Sequence, residues 1–137
     1  MFYGCSSLTT APALPATQLA NSCYNDMFSG CSSLTAAPAL PAETLASNCY
    51  NRMFDGCSSL TAAPALPATQ LEYYCYSGMF YNCSNLTTAY VKAGYDNTNC
   101  YYMFRNCQDL STSTLYTDGD WSGCGDISNW KKAAYSN

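Results

Sequence analysis

Apolar residues in this chain fall in columns rather than in one continuous pattern. Residues 27–52 read MFSGCSSLTAAPALPAETLASNCYNR, and close copies begin at Met1 and Met53, with drifting copies at Met79 and Met103. Phe2, Phe28, Phe54, Phe80 and Phe104 share one position. Cys5, Cys31, Cys57, Cys83 and Cys107 stand three residues later, and Leu8, Leu34, Leu60, Leu86 and Leu110 three later again. A fixed period in the twenties is the mark of a solenoid, in which each unit buries its apolar face on its neighbours.

Within a unit the pattern changes. The segment from Leu34 to Leu40 reads as a short strand weakened by Pro38, which removes a ladder donor. After Pro41 the spacing of Leu45, Cys49 and Met53 is i, i+4, i+8, and Leu19, Cys23, Met27 and Leu71, Cys75, Met79 repeat it. That spacing predicts one face of a helix, opened by Pro41 or Thr44. Two residues past each Phe come Gly4, Gly30, Gly56, Asn82 and Asn106, the residue types that most readily take the left-handed conformation at a helix end. The predicted fold is therefore an α/β solenoid: a leucine-rich-repeat-like stack of about five 26-residue strand-turn-helix rungs over residues 1–110. Residues 111–137 form a C-terminal capping tail, with Trp121 and Trp130 covering the last rung. The fourth unit is shorter, since Met79 and Met103 are 24 residues apart, and it behaves as a terminal repeat.

Composition narrows the functions. Charged residues make up only 10% of the chain and the net charge is −4. Its five basic residues, Arg52, Lys92, Arg105, Lys131 and Lys132, form no stripe, which argues against a nucleic-acid partner. No apolar run is long enough to span a bilayer, and the N-terminus does not read as a signal peptide. Met1 falls on the repeat's own Met position, as it would in a piece cut from a longer array or in a short gene born from one. Large aliphatics are few, so the core is expected to be thin.

The ten cysteines fall in two columns plus Cys124, the second column being Cys23, Cys49, Cys75 and Cys100. Stacked buried thiols are the reading favoured here, with cross-linking open to an exported chain. There is no histidine and no C-x-x-C, so the usual zinc clusters and the usual base for a Ser or Cys nucleophile are missing. The expectation is a non-enzyme with no cofactor. Recurring P-x-x-P pairs such as Pro38–Pro41 read as turn formers rather than ligands. A weak calcium reading attaches to Asp118, Asp120, Ser122, Gly123 and Asp126, with Asn129 where a bidentate Glu would stand.

Tyrosine carries the functional signal. Eight of the 13 tyrosines lie between residues 73 and 102. Tyr73 and Tyr74 replace Asn21-Ser22 and Ser47-Asn48 of earlier copies, so the scaffold does not require them. Exposed Tyr offers contact area at low entropy cost. The candidate partner-binding residues are Tyr73, Tyr74, Tyr81, Tyr90, Tyr95, Tyr101 and Tyr102.

On Phe28, Cys31, Leu34, Pro41, Leu45, Met53 and Phe54 the chain resembles the BspA-like leucine-rich repeats over residues 1–110. Its unit is a few residues longer, and Ala replaces several strand aliphatics. The resemblance implies a bacterial cell-surface or secreted adhesin that recognises a protein or glycan, with no catalytic residues. The alternative is a structural spacer or self-assembling repeat. Its first rung has no preceding neighbour over Phe2, Cys5 and Leu8, and would associate end to end.

Overall fold

The computed structural model describes residues 1–136. It is a stack of rungs, and a four-stranded parallel sheet lines one side. The strands are β1 (Ala62–Leu66), β2 (Thr88–Val91), β3 (Thr114–Tyr116) and β4 (Lys131–Ala133), in the order β1-β2-β3-β4. The first two rungs join by isolated parallel bridges, Thr10 with Ala36 and Gln18 with Thr44. The segment after residue 110 is therefore more than a lid, because it supplies β3 and β4.

The α/β solenoid of strand-turn-helix rungs is corrected here, because the described residues contain no α-helix. Cys49 and Met53, with their counterparts in the other copies, lie on a run of consecutive tight turns that begins just after Leu45. Every second amide closes a turn onto the carbonyl three residues back: Cys49 to Ala46, Asn51 to Asn48, Met53 to Tyr50, Asp55 to Arg52, at 3.1–3.3 Å. The amides between them cross to the next rung: Asn48 to Tyr73, Tyr50 to Cys75, Arg52 to Ser77, Phe54 to Met79, at 2.9–3.1 Å. Both halves of the backbone are thereby satisfied, one locally and one by the neighbour. A helix would satisfy them all locally and leave no amide bonds between rungs on this side.

The turns need a left-handed residue every fourth position. Asn48, Arg52 and Gly56 have φ of 56°, 52° and 78°. The Gly/Asn column does take the left-handed conformation expected of it, from Gly4 at 73° to Asn106 at 62°. It ends a string of turns rather than a helix. Nor does Thr44 open a helix, since it pairs with Gln18.

Period four explains the misreading. A helix advances 3.6 residues per turn, so a spacing of four drifts by about 40° per step. The series does not stop at Met53. Leu45, Cys49, Met53 and Cys57 are all buried, where a straight helix would spread the four over about 120° of its surface.

Inside, the columns become ladders. The five Phe rings stack at 5.5, 5.6, 5.6 and 5.7 Å between centroids. Tyr24, Tyr50 and Tyr76 stack beside them at 6.1 and 6.2 Å. Each inner thiol of the first cysteine column donates to the Phe carbonyl of the rung before: Cys31 to Phe2, Cys57 to Phe28, Cys83 to Phe54 and Cys107 to Phe80, at 3.1–3.2 Å. All ten cysteines are free, and only Cys5 and Cys23 are exposed. The last ring, Phe104, packs against Trp121 and Trp130 at 5.8 and 5.6 Å. The outer strand β4 is exposed along its length and carries Lys131 and Lys132, charges that discourage edge-to-edge pairing.

Candidate functional site

The seven candidate tyrosines divide among three places. Five gather on the turn face of the third and fourth rungs. Tyr73 and Tyr74 stack at 4.1 Å, and Tyr101 and Tyr102 at 4.0 Å. Tyr81 tilts toward Tyr102 at 6.0 Å. Tyr90 lies elsewhere, on the outer face of β2, stacked at 4.9 Å on Tyr116 of β3. Tyr95 packs against Trp121 at 5.3 Å and donates its hydroxyl hydrogen to Asn97 Oδ1 at 3.0 Å. The structure thus assembles a platform from five of the seven and places the other two in separate packing contacts.

Backbone geometry marks the platform as costly. Tyr74 and Tyr102 sit at φ of 55° and 56°. The Tyr74 position is held by Ser22 and Asn48 in earlier rungs, and the Tyr102 position by Asp26, Arg52 and Gly78, of which Asn and Gly tolerate the left-handed region best. A bulky aromatic there is an outlier, and such strain clusters at functional surfaces. The strained pair is half-buried, and the rings stacked on it are open to solvent, Tyr73 at 56% and Tyr101 at 44%.

Two arginines frame the rings. The Arg105 guanidinium lies 4.3 Å from the Tyr102 centroid and Arg52 lies 5.8 Å from that of Tyr81. Each is also paired with a carboxylate, Arg52 with Asp55 at 3.4 Å and Arg105 with Asp126 at 3.9 Å. Partial burial raises the Asp55 pKa, and a hydrogen bond from Asn82 and the Arg52 charge work against that rise. The platform is therefore aromatic, nearly charge-balanced, and flanked by amide side chains such as Asn51, Asn82 and Asn99.

No family model, curated protein or solved structure matches this chain. The site rests on its own geometry.

The acidic loop of the tail sends its groups to separate partners. Asp118 accepts from the Tyr135 amide, Asp120 from the Ser122 amide, and Asp126 meets Arg105. Asn129 is held by Asp109. Among the described residues no three His, Cys, Asp or Glu side chains come together to hold a metal ion. No helix among them is long and apolar enough to cross a membrane.

Three participants escape a reading of the sequence: Arg52, Arg105 and Tyr116. Tyr116 was discoverable, since it follows Tyr90 by one full period, 116 minus 90 being 26. The arginines reach the rings across rungs, and no local signal marks that.

Proposed function

We propose that this chain is a non-enzymatic binding module, and that its turn-face platform of Tyr73, Tyr74, Tyr81, Tyr101 and Tyr102 recognises a protein or glycan. One observation carries the reading: Tyr74 and Tyr102, half-buried at left-handed positions, hold the exposed Tyr73 and Tyr101 against them at 4.1 and 4.0 Å. Their rings stack in pairs on adjacent rungs and offer a rigid amphipathic surface, which is what interfaces favour. The resemblance to BspA-like repeats supports a place at a bacterial surface or outside the cell.

The test is a screen of glycans and matrix proteins on an array. A Tyr73→Ser/Tyr101→Ser double variant is expected to lose at least about tenfold in affinity for any ligand found, the scale of one hot-spot residue. Tyr3→Ser, on the first rung, is expected to bind as the parent does. Equal binding by the double variant and the parent overturns the assignment.

A structural spacer that associates end to end is the second reading. It is favoured by the open face of the first rung, where Cys5 is exposed while Cys31, Cys57 and Cys83 are buried. Light scattering over a range of concentrations separates the two. A strict monomer removes the assembly reading.

A further inference from the structure

The turn side of the stack has a direction. At each joint its crossing backbone amides point toward the rung that follows. The Phe amide makes the same bond four times, each at 2.9 Å: Phe2 to Met27, Phe28 to Met53, Phe54 to Met79 and Phe80 to Met103. A rung on this side therefore shows carbonyls to the rung before it and amides to the rung after it. The inner thiols keep the same order, since Cys31 donates back to the Phe2 carbonyl at 3.1 Å.

The two ends are consequently unlike. On the first rung Phe2, Gly4, Ser22, Tyr24 and Asp26 donate forward at 2.7–3.0 Å. The matching acceptors on its open side are the Met1, Tyr3, Asn21, Cys23 and Asn25 carbonyls, which receive no backbone amide from the described residues. Met1 and Tyr3 are 93% and 71% exposed, and Cys5 is exposed where Cys31 is buried. At the far end the Phe104 ring, on the amide-bearing side of the last turn rung, lies under Trp121 and Trp130 at 5.8 and 5.6 Å.

This polarity decides what fits the open face. A second copy turned face to face sets carbonyl against carbonyl, and buried acceptors without donors are unfavourable. A second copy stacked head to tail has its amide-bearing end closed by the tryptophans. A helix bonds its amides to itself, and a strand sends them alternately to its two edges. The face asks for a row of amides at alternate residues, a flat ring for Phe2 and a carbonyl for the Cys5 thiol. A rung of this same repeat supplies all three.

We propose that the open face of the first rung is a one-way joint, which captures an uncapped rung of the same repeat from another chain. The chain thereby adds to the amide end of a second array and closes it with its own tryptophan cap. The joint goes beyond both readings of function, since a strict monomer removes the spacer and leaves the joint standing.

The probe is an acetylated, amidated peptide of residues 27–52, titrated against the full chain under reducing conditions. It is expected to bind one to one and, at saturation, to slow alkylation of Cys5 and Cys23 at least about tenfold by mass spectrometry. Esters in place of the peptide's Phe28 and Tyr50 amides remove two donors and keep the side chains. They are expected to weaken binding at least about tenfold, and equal binding overturns the joint. Leu8→Glu, on the open face, is expected to abolish capture. A free rung must order itself to bind, so a second arm fuses residues 27–52 ahead of Met1. In that fusion Cys5 and Cys23 are expected to label as slowly as Cys31 and Cys49 do in the parent, and fast labelling overturns the proposal. Protection in the fusion with no binding of the free peptide overturns capture from another chain. A parent dimer in light scattering that Leu8→Glu dissolves also overturns the one-way joint, because a copy would then fit its own kind.

Discussion

The first rung and the third are nearly the same sentence with different neighbours. Residues 1–26 and 53–78 differ at seven positions. In the third rung Phe54, Cys57 and Leu60 are all 0% exposed. In the first, Phe2 and Leu8 are half-buried and Cys5 is exposed. Identical side chains therefore have different energetics, because a rung's stability lies in the interfaces on its two sides. The third rung has two interfaces and the first has one.

The largest test of that comparison is truncation of the ring ladder. Phe54→Ala leaves a cavity between two stacked rings, and its cost is expected at about 3–5 kcal/mol. Phe2→Ala, at the open end, should cost no more than half of that. Urea unfolding of both variants measures the difference, and equal costs would break the nearest-neighbour account.

Alkaline pH sharpens the same comparison. Burial pushes the Cys57 thiol up to about 12, and burial likewise raises Cys75 and Cys100 to about 12. A free thiol titrates near 8.5. The unfolded chain thus loses its thiol protons first, and stability must fall as pH rises from about 8.5 to about 12. Below that window the contribution is fully present. Cys57→Ala should flatten the slope of unfolding free energy against pH, by up to about 1.4 kcal/mol per pH unit. Thiol labelling gives a companion readout, with Cys5 and Cys23 modified fast and the eight buried cysteines modified only on unfolding.

A smaller effect tests the strained tyrosine that distinguishes the third rung from the first. Tyr74→Asn puts the residue of Asn48 into the same left-handed position and should stabilise the chain by about 1 kcal/mol. Thermal unfolding reports it, and binding to any platform ligand should weaken in the same variant. The Tyr76 hydroxyl is buried with no hydrogen-bond partner. Removing that oxygen in Tyr76→Phe should leave stability unchanged or raise it by up to about 1 kcal/mol. A loss of stability there would mean that the oxygen has a partner, such as ordered water.

Much of this molecule was legible in its letters. The period, the Phe and Cys columns, the left-handed Gly/Asn positions and the small strands all follow from aligning the copies. The helix did not survive, and the reason is physical. A spacing of four fits a helix face and a ladder of four-residue turns alike, so the apolar series by itself did not separate them. Asn48, Gly78 and Asp26 were a hint, marking further left-handed columns. The remaining features depend on partners far away in sequence. Cross-rung amide bonds and the Arg52 and Arg105 contacts leave no local pattern.

The central claim is that these rungs are ladders of turns held by amide bonds to the next rung. Hydrogen-bond scalar couplings by NMR measure it directly on residues 46–57. The account expects coupling from the Tyr50 amide to the Cys75 carbonyl and from Phe54 to Met79, with Cys49 and Met53 coupled three residues back. Couplings four residues back along one continuous segment, with helical carbon shifts at Asn48 and Arg52, would contradict it.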